Sequence, residues 1–186
     1  MQNYFVTTLP ASLSKFAERL GIHSCLEFST DVLVPEQRIR NYCLENKCGK
    51  YNANYMCPPF VGSLAEIQAR LTEYKRGLIF QYAEPVDVNN DRPGVRRSKM
   101  DFHKKVLKIE KFFDKQGIDD VWSMIGGNCE LCKVCGVKLN EPCRHPQKAR
   151  PSLESLAIDV IALLDKFGLD SRFHPNRIMW TGCVLF

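Results

Sequence analysis

Three cysteines at consecutive two-residue gaps, Cys129-x2-Cys132-x2-Cys135, constrain this chain more than any other feature, and Cys143 follows after seven residues. That spacing sets three thiols around one short loop of backbone. Such a loop can wrap an iron–sulfur cube with its amide N–H groups turned toward the sulfurs, while a more remote cysteine completes the coordination. Pro142 precedes Cys143, as a proline flanks the remote cysteine of bacterial ferredoxins. Gly126, Gly127 and Gly136 remove side-chain bulk where backbone has to approach the cluster. Zinc is the main alternative, but structural zinc sites usually present two separated cysteine pairs, and here the third thiol sits in the same loop. Disulfides or inert buried thiols are the remaining alternatives. The Cys-x3-Cys-x2-Cys spacing of radical enzymes and the Cys-x2-Cys-His signature of covalent haem are both absent.

A second set precedes it: Cys43-x4-Cys48-x8-Cys57-Pro58-Pro59. Three thiolates suffice for a cluster with one open iron, and Cys25 or Cys183 could supply a fourth. Each of these two lies inside a strand-like run, so both read as small core residues. One loop could also donate a ligand to the other's cluster, as happens in two-cluster ferredoxins. The chain therefore reads as holding one [4Fe-4S] cluster, with a second possible.

The rest of the composition is that of a globular protein. Of 186 residues 45% are hydrophobic and 25% charged, enough for one real core and incompatible with large-scale disorder. Nine cysteines is an odd number, and residues 1–5 do not open a secretory signal, so a disulfide framework is not expected. No apolar run approaches the length of a membrane span. A cytoplasmic protein is the expectation.

Hydrophobic periodicity predicts strands alternating with helices. Strands are expected at residues 3–8, 78–83, 121–125 and 177–185, with residues 25–34 extended. A helix is expected over residues 10–20, with Leu13, Phe16 and Leu20 inward. Ser63 and Glu66 form a capping box for the next, with Gly77 as its left-handed stop. Residues 98–116 read as an amphipathic helix, with Asp91-Arg92-Pro93-Gly94 as a preceding turn. Its inward face carries Phe102, Val106, Ile109 and Phe113. Residues 152–167 read as one long helix. Residues 36–62 and 126–150 read as two cysteine-rich loops meeting on one side of the sheet. The fold class is α/β (or α+β), a mixed sheet covered by helices, in a single metal-binding domain over residues 1–186.

The order Cys43…Cys48-Gly49…Cys57-Pro58-Pro59, Gly127-Asn128-Cys129-x2-Cys132-x2-Cys135, Pro142-Cys143-Arg144-His145-Pro146 and Arg150-Pro151-Ser152-x-Glu154-Ser155…Ile158-Asp159-Val160 resembles the predicted metal-binding proteins of domain of unknown function 2284. The resemblance covers about residues 36–186. It implies an intracellular iron–sulfur or metal protein and brings no established reaction. Ala157 stands where glycine is expected before Ile158, a departure that a continuous helix would tolerate. The gap between Cys43 and Cys48 is longer than usual for the family.

Other residues read less sharply. Arg144 and Arg150 bracket a loop that carries negative charge once its thiols ionise. Either could hydrogen-bond sulfide or thiolate, or hold an anionic ligand. Ser152 reads as a helix cap. His145, next to the loop, could donate a proton or a ligand, but a lone loop histidine is more often neither. Lys104, Lys108, Lys111 and Lys115 could dock an acidic redox partner, though a solvated helix face explains them as well. No glycine-rich nucleotide motif and no aromatic-interleaved basic patch is present, so nucleotide and nucleic-acid binding have no support. The formal charge of +5 assumes neutral thiols; two four-iron clusters at about −2 each would bring the holo-protein to about +1. The best-supported role is single-electron transfer. An iron–sulfur enzyme with an open iron and a zinc-stabilised interaction module are the alternatives. Substrate and oligomeric state are not encoded legibly.

Overall fold

Leu78, Ile79 and Phe80 run apolar without a gap, so the strand that carries them must be covered on both faces. A computed structural model describes residues 11–186. In it β2 (Arg76–Pro85) is central and all three of these residues are fully buried. β1 (Ser24–Ser29) pairs along one side of β2, from Ser24 opposite Gln81 to Ser29 opposite Arg76. β4 (Arg177–Leu185) pairs along the other side over its full length, from Arg177 opposite Pro85 to Leu185 opposite Gly77. The short β3 (Trp122–Met124) closes the far edge against β4. The order is β1-β2-β4-β3 with every ladder antiparallel. A parallel bridge between Ile125 and Ser152 stitches the 151–158 segment to the end of β3. This is the helix-covered α/β architecture that the alternating elements predict.

Alternation along the strands sorts side chains into two cores. Leu78, Phe80 and Val184 point toward α1 (Ala11–Arg19) and α4 (Arg92–Asp114), meeting Leu13, Ala17, Phe102, Val106 and Ile109. Ile79, Cys183 and Leu185 point the other way, toward α3 (Leu64–Leu71) and α5 (Val160–Phe167), meeting Ile67, Leu71, Leu156, Leu163 and Leu164. The Ser63–Glu66 capping box opens α3 as expected.

Several boundaries differ from the sequence expectation. The turn at 91–94 is instead the start of α4: Asp91 accepts the Gly94 N–H at 2.8 Å and Pro93 occupies the first turn, where a missing N–H costs nothing. α3 stops at Leu71, and Gly77 lies within β2; a Cβ there would meet Phe28 at 2.5 Å, so steric room explains it and a helix stop does not. The 36–62 loop contains a helix, α2 (Gln37–Leu44), which lacks an apolar repeat because only Ile39 and Arg40 of it are buried. The long helix over 152–167 is broken. A 3-10 turn at Glu154–Leu156 ends in Ala157 at φ 64°, and Asp159 then caps α5. Ala157 therefore takes the left-handed conformation that favours glycine, and is not a helix-interior alanine. The strand expected at residues 3–8 lies outside the described residues.

Gly182 shows how tightly the centre is packed. A Cβ there would lie 2.7 Å from Phe80 and 2.9 Å from Phe102. Gly182→Ala is expected to lower unfolding free energy by about 1–3 kcal/mol in urea titration. An unchanged midpoint would show that the two rings move aside freely.

Candidate metal centre

The chain leaves β3 through Gly126, whose missing side chain lets it pass Trp180: a Cβ there would lie 2.9 Å from the indole. Cys129, Cys132, Cys135 and Cys143 then line one narrow cavity of about 20 Å³, with His145 and Met56 also in its wall. Closure of this ring depends on Gly136. A Cβ on Gly136 would stand 2.6 Å from the carbonyl oxygens of both Glu141 and Pro142, and the Glu141 N–H donates to the Gly136 carbonyl at 3.0 Å. The absent side chain thus lets the residues before Cys143 fold back onto those after Cys135.

The loop is anchored at several points. Arg150 ion-pairs with Glu110 on α4, donates to Ser123 on β3 at 3.0 Å, and caps the Gln147 and Ala149 carbonyls. Its donors are spent on the scaffold, so the expected role on thiolate or anion is replaced by an anchoring one. Ser152 accepts the Ser155 N–H at 3.2 Å but is not the expected helix cap: the 3-10 turn starts after Leu153, and α5 is capped by Asp159. Glu130 is gripped from α4 by Lys99 at 2.6 Å and Arg96 at 3.0 Å. His103, buried under the loop, donates from Nε2 to the Lys148 carbonyl at 2.8 Å, and burial lowers its pKa. Arg144 stays near the thiols. It pairs with Glu141 at 2.6 Å, donates to the Val134 carbonyl at 3.2 Å, and acts electrostatically on Cys132.

The first cysteine set is physically joined to the second. Asn54, itself buried, donates to the Cys129 carbonyl at 2.8 Å, and the Tyr55 hydroxyl donates to the Glu141 carbonyl at 2.7 Å. Residues 54–56 thereby form one wall of the four-cysteine cavity. Cys43 sits in the last turn of α2, Cys48 is exposed beyond it and Cys57 is buried. The three interact with one another, and Cys57 also with Cys129. Beside them lies Arg40, 8% exposed, whose guanidinium makes one hydrogen bond among the described residues, to the Gly62 carbonyl at 3.3 Å. No carboxylate partner of Arg40 is found among the described residues; burial raises the pKa of Cys43, and the Arg40 charge acts against that shift without reversing it. Sequence reasoning missed Arg40, Asn54 and Tyr55. Their signal is only proximity to cysteines in a segment without periodicity.

All nine cysteines are free thiols. Burial pushes Cys57 up to about 12, with Cys48, Cys43 and Cys129 adding to the shift. Burial also raises Cys129, and its three loop partners raise it further against the Leu131 N–H. Cys25 is pushed up to about 12 and Cys183 higher still, both by burial within the strands, where they pack as core residues. Neither is among the groups acting on Cys43 or Cys57. Among the described residues no group of three His, Cys, Asp or Glu side chains is arranged to hold a metal ion as it stands. Among the described residues no helix is long and apolar enough to cross a membrane.

The chain belongs to the DUF2284 family of predicted metal-binding proteins, whose model matches residues 27–186. No curated protein and no solved structure matches it.

Two outcomes follow from this geometry. Gly136→Ala is expected to reduce bound metal per chain several-fold while leaving far-UV circular dichroism unchanged; full metal content would show that close return of the loop is not required. The metal-free, reduced protein is expected to lose stability as pH rises from 9 to 12. Thiols held up near 12 in the fold ionise near 9 once unfolded, so their contribution is complete below 9 and disappears through 12. Denaturant midpoints against pH should show this fall, and Cys25→Ser with Cys57→Ser should make it shallower, with Cys183 and Cys129 keeping part of it.

Proposed function

We propose that this member of the predicted metal-binding family is an iron–sulfur protein of a reducing compartment. In this reading a [4Fe-4S] cluster is held by Cys129, Cys132, Cys135 and Cys143, and a second metal centre by Cys43, Cys48 and Cys57. The observation that carries it is the cavity lined by four cysteines of one loop and closed over Gly136. The donor set fits the group: soft thiolates select iron–sulfur clusters, zinc or cuprous copper over harder cations. Room is the one adjustment needed. A cavity of about 20 Å³ takes roughly one water, so the 129–143 loop must spread outward on loading. Val134 and Leu139 on the outer side of that loop are exposed.

When bound, a cluster of this kind supplies a one-electron couple. The chain's own residues set its surroundings. Asn54, Tyr55 and Met56 shield the thiols from water on one side. Arg144 places positive charge beside Cys132, which would raise the potential of whatever the loop holds. Arg40 supports the second centre. A buried guanidinium without a carboxylate is costly, and an anionic metal–thiolate group beside Cys43 would offset that cost.

The test is quantification of iron, zinc and acid-labile sulfide in protein purified without oxygen. Iron and sulfide in near-equal amounts are expected, with Cys132→Ser and Cys135→Ser each removing about one cluster's complement and Cys25→Ser removing none. Zinc without sulfide would replace this reading with a zinc-stabilised module. In the loaded protein Arg144→Gln is expected to lower the reduction potential, read by redox titration of the cluster's absorbance; an unmoved potential would confine Arg144 to its ion pair with Glu141.

A further inference from the structure

A much larger cavity, of about 840 Å³, lies on the α5 side of the sheet. That is within the range of pockets that enclose small organic ligands. Its lining includes apolar side chains of three elements, among them Ile39 from α2, Leu164 from α5 and Met179 from β4. Phe173 stands on its wall with 95% of its surface exposed. Cys43 and Cys48 line the same cavity.

One part of the lining is cationic by construction. Asp170 is fixed in place where its carbonyl accepts from the buried Gln81 side chain of β2 at 2.7 Å. Its carboxylate receives Arg172 Nε at 3.2 Å, Arg177 at 2.9 Å and His174 Nε2 at 2.8 Å. The Arg172 backbone N–H and the His174 ring hold that carboxyl well below the usual carboxylate range. One negative charge thus faces two guanidinium groups, each using only one nitrogen on it. Their other nitrogens have no hydrogen-bond partner among the described residues. The excess is local, because the remaining charged side chains bring the formal charge of the lining to zero: Arg38 pairs with Asp159 at 2.5 Å and Lys47 with Glu45 at 2.7 Å, while Glu154, whose backbone carbonyl faces the Cys43 thiol, adds one negative charge.

We infer that this cavity binds a small organic carboxylate with an apolar body, the carboxylate taken by Arg172 and Arg177 and the body lying on the apolar lining beside Phe173, in the space that Cys43 and Cys48 also border. Planar forked donors suit a carboxylate, and an apolar lining with a few convergent polar groups is the usual form of such a site. A substrate bound there would share its cavity with the first cysteine set. The inference does not depend on which metal the thiols hold.

Isothermal titration of the full chain as purified tests it, with 4-phenylbutyrate, its neutral amide and the corresponding 4-phenylbutylammonium ion as probes. The carboxylate is expected to bind about tenfold or more tightly than the amide, a difference of about 1.4 kcal/mol, and the ammonium ion least. The double variant Arg172→Gln with Arg177→Gln should bring the carboxylate down to the level of the amide, and Met179→Trp, which adds bulk to the apolar lining, should weaken binding of both several-fold. The Arg172 side chain is largely exposed, so Arg172→Gln alone keeps the comparison open if the double variant does not fold. Equal binding of acid and amide, preference for the cation, binding unaffected by these substitutions, or no binding of any probe would overturn the inference. Each of these outcomes leaves the metal content, and so the iron–sulfur reading, unaffected.

Discussion

The pairing of β2 with β4 is the constraint on which the molecule rests. Nine residues of β4 run in continuous antiparallel register with β2, and both strands are buried on both faces at Leu78–Phe80 and Cys183–Leu185. A one-residue slip would exchange every side chain between the two cores. It would also move Gly182 from beneath Phe80 and Phe102, where a Cβ would clash with both rings. The far end of the same ladder places Arg177, Met179 and Thr181 in the wall of the large cavity, so one register sets the core and that wall together.

Around this frame the cysteine loops are held by polar contacts more than by apolar burial. The Arg150–Glu110–Ser123 knot ties the second loop to α4 and β3, and Lys99 and Arg96 hold it again at Glu130. Asn54 and Tyr55 then tie the first loop to the second through two backbone carbonyls. Partly buried ion pairs of this kind fix geometry more than they add stability. Here they bring thiols into proximity at a cost: the burial that raises Cys57 and Cys129 is unfavourable to thiolate until a cation arrives.

Much of this was legible in the sequence. The apolar stripes of α3 and α4, the Ser63–Glu66 cap and the last strand follow from local pattern, and so does the gathering of the two cysteine segments. Where the reading failed, short-range pattern was ambiguous or the deciding contact was distant. Asp91-Arg92-Pro93-Gly94 satisfies a turn and a helix start equally well, and only the Asp91 cap distinguishes them. Ala157 continues an apolar helical stripe, yet the Ile125–Ser152 bridge and the Asp159 cap force a left-handed corner there. The glycine expected at that position from the family resemblance would suit a corner, which this chain makes with an alanine. Arg150 looked free to face the thiols because Glu110 lies forty residues away. The grouping of Asp170, Arg172, His174 and Arg177 gave no signal in sequence, since short polar segments of that composition are common in solvated loops.

The central claim is that Cys129, Cys132, Cys135 and Cys143 surround a polynuclear iron centre and not a single ion. X-ray absorption at the iron and zinc edges of protein purified without oxygen tests it most directly. The account predicts iron with a shell of sulfur and a second shell of iron, the latter lost on serine substitution of Cys129 or Cys135. A zinc edge with four sulfurs and no metal neighbour would contradict it.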